Sequence, residues 1–319
     1  MAFPSVTDIV ATTIQNRSKK IADNVTKNNA LSMKLNQRGN IKTFSGGNTI
    51  MQELSFAQNG NGGWYSGYDL LPVAAQDVIS AAEYAIKQLA CPIIMSGLEQ
   101  LQNAGREQFI DLLEGRVNVA ESTMANLLSG GLYSDGTGSG GKELVGLNAA
   151  VPTNPLTGTY GGIDRATWAF WQPATVTAAY TSANIGGSMN DLWAKLVRGS
   201  DRPDLIVFDS VLWGLYLASL QAQQRFTQAE TGKLGFPTIK YMDADVVLDG
   251  GIGGYCPLKT GFFLNTKYLF LRPHSARNMV SLSPNRRYAV NQDAEVQILA
   301  WAGNLTCNGS MFQGRMIGT

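Results

Sequence analysis

Charge is what this chain of 319 residues has least of. Lys, Arg, Asp and Glu make up 15% of it, where ordinary soluble domains carry about 25%. A compact chain of this size exposes roughly 13,000 Å². Its own charges cover that surface thinly, so either partners cover part of it or the molecule does not act alone. Histidine occurs once, as His274, and cysteine three times, as Cys91, Cys256 and Cys307, with no CxxC. That excludes an ordinary His/Cys zinc site and points to buried free thiols in a reducing compartment. Long apolar runs are missing as well. Leu205–Phe208 and Val211–Leu220 are parted by Asp209 and fall short of the ~20 residues of a membrane span. Met1–Asn16 carries Asp8 and lacks a basic-then-apolar order, so it does not read as a signal peptide.

What is present is unevenly placed. Residues 1–42 hold Arg17, Lys19, Lys20, Lys27, Lys34, Arg38 and Lys42 against Asp8 and Asp23, a net of +5. With little apolar content outside Val10–Ile14 and Ile21–Val25, this is a basic, partly helical arm that packs on something else. Residues 43–73 contain no Lys or Arg and only Glu53 and Asp69. Ile50, Leu54 and Phe56 alternate. Asn59-Gly-Asn-Gly-Gly63 then supplies a turn, and Trp64, Tyr65 and Tyr68 follow. The pattern reads as a long, aromatic, nearly uncharged hairpin, which is marginal in water without a neighbour. Within residues 74–97, Val78, Ile79, Ala82, Ile86 and Leu89 fit a helical stripe, while Pro92 and Ile93-Ile94-Met95 favour a strand.

Phe109, Leu112, Leu113, Val117, Ala120, Met124, Leu127 and Leu128 recur at threes and fours, which predicts a helix over 104–129 roughly 39 Å long. Gly130-Gly131 is the expected C-cap. A Gly-rich connector follows. Helices are expected from Ser188 to Arg198, with Trp193, Leu196 and Val197 inward, and from Ser210 to Gln223. Strands are expected at Leu205–Phe208, Val246–Leu248, Phe262–Leu264, Tyr268–Leu271, Arg287–Val290, Val296–Trp301 and Met311–Ile317. The fold class is α+β.

Few residues suggest chemistry. Gly136-Thr-Gly-Ser-Gly-Gly141-Lys142 fits GxxxxGK, but a phosphate loop needs a preceding strand, a following helix and a hydroxyl after the Lys. A helix precedes it here, and Glu143 replaces the hydroxyl. Asp243 and Asp245, two apart on a strand, could clamp a metal; solvated acids at a strand edge, with Asp249-Gly-Gly251 as the turn, are the simpler reading. His274, in Arg272-Pro-His-Ser275, reads as a polar turn, and no GxSxG accompanies it. Trp168-Ala-Phe-Trp171 reads as core or interface. No catalytic, cofactor-binding or metal-binding residue is assigned, and no enzyme activity is expected.

Taken in order, a basic arm, an uncharged hairpin, one very long helix, a Gly-rich connector and a closing set of strands resemble the tailed-bacteriophage major capsid proteins of the Hong Kong 97-type fold. The stretches that carry the resemblance are Phe109–Leu113 through Leu127–Gly131, Tyr133–Gly136 into Val145–Val151, Arg202–Val207 and Thr260–Arg272. The resemblance implies an arm (1–42), an extended loop overlapping a neighbouring subunit (43–73) and a peripheral domain (74–146) with the spine helix. It further implies an axial domain (147–284) and return strands to the peripheral domain (285–319). The helical reading of 75–90 then yields to a long strand. The implied role is a coat subunit building hexamers and pentamers of an icosahedral head around double-stranded DNA, located in the virion and assembled in the host bacterial cytoplasm. Implied partners are further copies of the chain, portal and cement proteins, DNA through non-specific contacts, and a separate scaffolding protein or none. An encapsulin-like compartment is the alternative within the fold, and a nucleotide- or metal-dependent enzyme on Gly136–Lys142 or Asp243/Asp245 the alternative outside it. The loop-lysine crosslinking of some relatives is not carried over, because residues 43–73 hold no lysine.

Overall fold

The computed structural model describes residues 29–98, 106–222, 238–250, 254–282, 287–288 and 294–319, with backbone alone for 106–114, 221–222, 287–288 and 294–295. In chain order the elements are α1 (Ala30–Gln37), β1 (Thr49–Ser55), β2 (Ile79–Ala85), β3 (Lys87–Ser96), α2 (Arg106–Tyr133), α3 (Leu147–Ala150), β4 (Thr159–Tyr160) and β5 (Ile163–Asp164). There follow β6 (Ala174–Ala178), α4 (Ile185–Leu196), β7 (Leu205–Phe208), α5 (Ser210–Ala222), β8 (Thr238–Tyr241), β9 (Ala244–Leu248) and β10 (Thr260–Leu264). The chain closes with β11 (Leu269–Pro273), β12 (Val280–Ser281), β13 (Arg287–Tyr288), β14 (Ala294–Cys307) and β15 (Gly314–Gly318).

Strand β14, 14 residues long, organises one half. β3 pairs antiparallel along one side of it, from Ala294↔Ser96 to Gly303↔Lys87. β13, β12 and β11 follow one another along its other side. Pro92 is tolerated in the middle of β3 because β14 is that strand's only partner among the described residues, and an edge strand can lack a ladder donor. The strand reading of 79–96 therefore holds against the helical stripe. The alternation of Ala82 and Tyr84 inward with Ala81, Glu83 and Ala85 outward is a strand period.

The other half is a six-stranded sheet in the order β6-β15-β10-β7-β9-β8. Its central strand β7, Leu-Ile-Val-Phe, is buried on both faces. Ile206 and Phe208 join a core with Ile185, Met189 and Leu192 of α4 and Leu212 and Tyr216 of α5. Leu205 and Val207 face the opposite way, into the core that also holds Leu31, Leu35, Met124 and Leu299. A continuous apolar run is what a strand covered on both sides requires. The last strand, β15, lies inside this sheet between β6 and β10, and β11 pairs with β14. The C-terminal strand thus belongs to the six-stranded sheet, and Leu269–Pro273 to the other. Val197, expected inward, is partly exposed just past the end of α4.

Helix α2 spans 28 residues, about 42 Å at 1.5 Å per residue. Val117, Ala120, Met124, Leu128 and Leu132 form its buried stripe, whereas Val119 and Leu127 face out. The side chains of Phe109, Leu112 and Leu113 lie outside the described set. Gly130 and Gly131 do not cap the helix; it runs through them to Tyr133. A Cβ on Gly130 would stand 3.1 Å from the Tyr255 ring, and one on Gly131 3.3 Å from Leu144 Cβ. Their smallness admits neighbours, which offsets the roughly 1 kcal/mol a helical glycine costs. Gly146 makes the fold-back after the helix possible, since a Cβ there would lie 2.4 Å from the Leu132 carbonyl oxygen.

The thiols are free. Cys256 and Cys307 are buried, and Cys91 is half-buried, contrary to the expectation of three buried thiols. Burial pushes the Cys307 thiol up to about 12 and the Cys256 thiol higher still, with Asp249 and Asp209 adding to the shift. Since the thiolate is the reactive form, Ellman's reagent at pH 8 is expected to titrate Cys91 alone in the native subunit and all three thiols in urea. Rapid reaction of all three before unfolding would contradict this packing.

Candidate assembly surfaces

The expected hairpin over 43–73 is longer than its sequence pattern suggested. β1 pairs with β2, from Thr49↔Ala85 to Ser55↔Ile79, so the return strand is 79–85. Residues 64–77 contain no strand, and the turn residues 59–63 are not its tip. Ile50 and Leu54 on β1 face Ala82 and Tyr84 on β2 in the core, so the ribbon is anchored at its root. There the Phe56 ring sits 5.9 Å from those of both Trp168 and Phe170. The Tyr84 hydroxyl donates to the Cys307 carbonyl at 2.8 Å, and the Glu83 amide donates to the Gly161 carbonyl at 2.9 Å. The loop thus leaves a fixed base.

Beyond that base nothing among the described residues covers it. Every residue from 62 to 77 is exposed, Trp64, Tyr65, Tyr68, Leu70, Leu71 and Val73 among them. Its two limbs meet chiefly through the Asn61 side-chain amide on the Ala74 carbonyl. An exposed apolar patch of this extent marks an interaction surface. From Thr43 to Ile86 the chain carries Glu53, Asp69, Asp77 and Glu83 and no cation. Asp77 and Glu83 lie beyond residue 73, where the sequence pattern places the end of the loop. The alternation over Ile79–Ala85 was the signal that could have recovered them.

The arm is partly a structural element. Asn29 caps α1, its Oδ1 accepting from the amides of Leu31 (2.9 Å) and Ser32 (3.3 Å), which fixes the helix start. Lys34 Nζ pairs with Asp245 at 2.6 Å, and Arg38 Nε with Asp204 at 3.2 Å. Asn29 also donates to Asp249 at 3.0 Å, which receives the Tyr133 hydroxyl as well. Residues 40–44 then add to β11 as a parallel strand, through the bridges Ile41↔Leu271 and Phe44↔His274. Lys42 Nζ lies 5.0 Å from the centre of the Phe270 ring. Three of the arm's seven cations are therefore engaged within the subunit. Arg17, Lys19, Lys20 and Lys27, with Asp8 and Asp23, lie outside the described residues.

The structure disperses the chemically suggestive residues. In Gly136–Lys142, Ser139 and Gly140 take left-handed backbone angles. The Glu143 carboxylate fills the space beside Gly138, where a Cβ would meet it at 2.3 Å, and accepts from Ser134 Oγ at 2.7 Å. An anion already occupies that cradle. Asp245 is paired with Lys34, and Asp243 separately with Arg202 at 2.7 Å. Among the described residues no three His, Cys, Asp or Glu side chains are placed to hold a metal ion. His274 follows β11, its ring edge-on to Phe44 and its Nδ1 accepting from the Ala276 amide. Trp171 is buried, donating to the Tyr160 carbonyl at 2.8 Å, while Trp168 and Phe170 brace the loop root. Two buried arginines hold the crossing from α3 into the second half. Arg165 donates to the carbonyls of Ala149 and Ala150, and Arg315 to that of Val151. Burial lowers the pKa of both. No described helix is long and apolar enough to cross a membrane.

An α+β body with a clamped extended loop, a long spine helix against a long-stranded sheet, and a second sheet flanked by helices is the Hong Kong 97-type fold of tailed-phage major capsid proteins. No known family profile matches the chain, and no curated protein matches it by sequence. Solved structures do. A chain of the cyanophage A-1(L) capsid asymmetric unit superposes with a TM-score of 0.62 at 17% identity, covering 87% of this chain and 90% of that one. A chain from the capsid of the native GTA particle gives 0.62 at 14% identity, over 88% and 89%. One from Mycobacterium phage Bobi gives 0.52 at 12% identity, over 91% and 90%.

Proposed function

We propose that this chain is the coat subunit of a phage head: a structural protein that assembles into hexamers and pentamers of an icosahedral shell holding double-stranded DNA. The observation that carries the reading is the loop over residues 56–78, rich in exposed apolar side chains, cation-free and, among the described residues, supported only at its root. On a lone subunit such a surface would be an aggregation liability. On a subunit surrounded by copies it is an interface, and interfaces are depleted of charge and rich in aromatics at their centres. The low total charge has the same explanation.

Arg17, Lys19, Lys20 and Lys27 are the cations this reading assigns to DNA or an acidic scaffold. Against Asp8 and Asp23 they amount to a net of +2, so the contact is weak, non-specific and salt-sensitive. Portal, cement and scaffolding proteins are the further partners of this reading, the virion its location, and the host cytoplasm its place of assembly. A catalytic role finds no support in Asp243 and Asp245, which sit in separate ion pairs. Expression of the chain, alone and with the scaffolding gene of its locus where one exists, is expected to yield hollow, uniform particles of megadalton mass by electron microscopy and light scattering. A chain that stays monomeric under every such condition overturns the reading. Particles that enclose a specific enzyme instead of DNA would move it to the encapsulin alternative.

A further inference from the structure

The chain holds five Asn-Gly or Asp-Gly doublets, at 59–60, 61–62, 135–136, 249–250 and 308–309. At such a doublet the glycine nitrogen can attack the side-chain carbonyl carbon of the residue before it, because glycine has no Cβ to hinder the approach. The attack needs a free glycine amide, an unrestrained side chain and access to water. The structure meets these needs unequally. The Asp249 carboxylate is held by Asn29 and Tyr133. At Asp135 the Gly136 amide donates to Ser134 Oγ at 3.0 Å, and the carboxylate accepts from the amide and hydroxyl of Thr137. Gly309, after Asn308, is buried with its amide on the Cys307 sulfur. After Asn61 the Gly62 amide donates to the Asn59 carbonyl at 3.1 Å, and the Asn61 side-chain amide is tied to the Ala74 carbonyl.

Asn59 differs from all of these. It is exposed, as is Gly60, and among the described residues no hydrogen bond engages its side-chain NH2 or the Gly60 amide. Its Oδ1 accepts from the Asn61 amide at 3.0 Å. That bond favours the attack, since charge develops on Oδ1 as the nitrogen closes on Cγ, and a donor already aimed there stabilises it. We propose that Asn59 is a self-modification site of the loop. The Gly60 nitrogen bonds to Asn59 Cγ, the Cγ–Nδ2 bond breaks, and ammonia leaves with the proton given up by the Gly60 amide. A solvent water then opens the succinimide ring, at Cγ to give aspartate or at the main-chain carbonyl to give isoaspartate. A neutral amide becomes a carboxylate, with no change of oxidation state. The cation-free stretch with Glu53, Asp69, Asp77 and Glu83 thereby gains a further acid, and isoaspartate adds a methylene to the main chain beside the Asn61 cross-tie. An uncovered loop gains charge irreversibly with age. The step goes beyond the shell reading and needs only the exposed loop.

The test is incubation of the full, unassembled chain in mildly alkaline ¹⁸O-water, followed by digestion and peptide mass spectrometry. The label marks only residues converted during the incubation. Native Asn59 is expected to convert about tenfold faster than Asn61, which must first break two hydrogen bonds, each worth about threefold to tenfold in rate. Asn308 is expected to lag as well. In urea, where those bonds are gone, the three Asn-Gly sites are expected to convert at like rates, which separates the effect of the fold from that of the doublet. Gly60→Ala leaves Asn59 in place, and its methyl would meet only the end of the Gln76 side chain, at 3.3 Å. This variant is expected to keep the wild-type circular-dichroism spectrum and to retain Asn59. Native Asn59 that is retained, or that converts no faster than Asn61, overturns the proposal, and so does a folded Gly60→Ala chain that converts at the wild-type rate. Should that variant not fold, the native and urea rates of the wild-type chain decide alone.

Discussion

Replacing residues 57–77 by Asn-Gly is expected to leave a folded subunit and to reduce closed shells to none. The cut is placed by the ribbon. Ser55 pairs with Ile79, and the Phe56 amide donates to the Val78 carbonyl at 3.1 Å, so two residues suffice to close a hairpin there, and Asn-Gly suits that turn. Nothing buried is lost, because residues 62–77 are all exposed. Ile50, Leu54 and Tyr84 keep their places in the core. A thermal midpoint close to wild type, a monomeric mass by light scattering and an absence of particles by microscopy are the expected results. Normal shells from this variant would remove the loop from the assembly mechanism. A wider cut, Gly46–Tyr68, which the sequence pattern alone would suggest, would take β1 with it and unfold the root, confusing the two effects.

The second large effect concerns a single carboxylate. Asp209 is fully buried and serves two elements at once. It accepts from the amides of Val211 (3.2 Å) and Leu212 (2.9 Å) at the start of α5, and from the Lys259 amide (2.7 Å) just before β10. Lys259 sits at a positive φ of 54°, a conformation that costs an L-residue about 1–2 kcal/mol and that this bond helps to hold. Loss of a cap costs about 1–2 kcal/mol, and orphaning a buried donor about 1–3 more. Asp209→Ala is therefore expected to lower stability by about 2–5 kcal/mol in urea titrations of the unassembled subunit. Asp209→Asn should recover only part of it, since its single oxygen can serve Leu212 on one side or Val211 and Lys259 on the other while its NH2 faces the remaining amide donors. An alanine variant within 1 kcal/mol of wild type would show that the acid is not the joint between these elements.

Asp209 also shows what a linear sequence conceals. Along the sequence it is simply the residue that breaks an apolar run. Its position before Val211 and Leu212 marks a helix cap, and that was legible; the bond to Lys259, 50 residues on, was not. The same holds for the glycines at 130 and 131. Two glycines after a helical stripe fit a C-cap by local rules, yet Tyr255 and Leu144 come from later in the chain and need the space. Leu127 fits the buried stripe by spacing but lies outside it, half exposed. The arm was read as a basic tail because its apolar residues are few. Leu31 and Leu35 are enough to bury α1 once Asp204, Asp245 and Asp249 meet Arg38, Lys34 and Asn29, and pairings across more than 160 residues leave no local trace.

By itself the sequence determined the long helix, the buried strand at Leu205–Phe208 and the cation-free stretch that becomes the loop. Each is written in a period or a composition over adjacent residues, and local backbone physics reads the same pattern. Only the tertiary structure decided that residues 79–85 close the loop, that the last strand enters the middle of the six-stranded sheet, and that Lys34 and Arg38 belong to the body. These are pairings between distant segments, fixed by which surfaces bury together. The shortage of charge was visible from composition. That the surface it leaves bare is a loop clamped only at its root among the described residues required the fold.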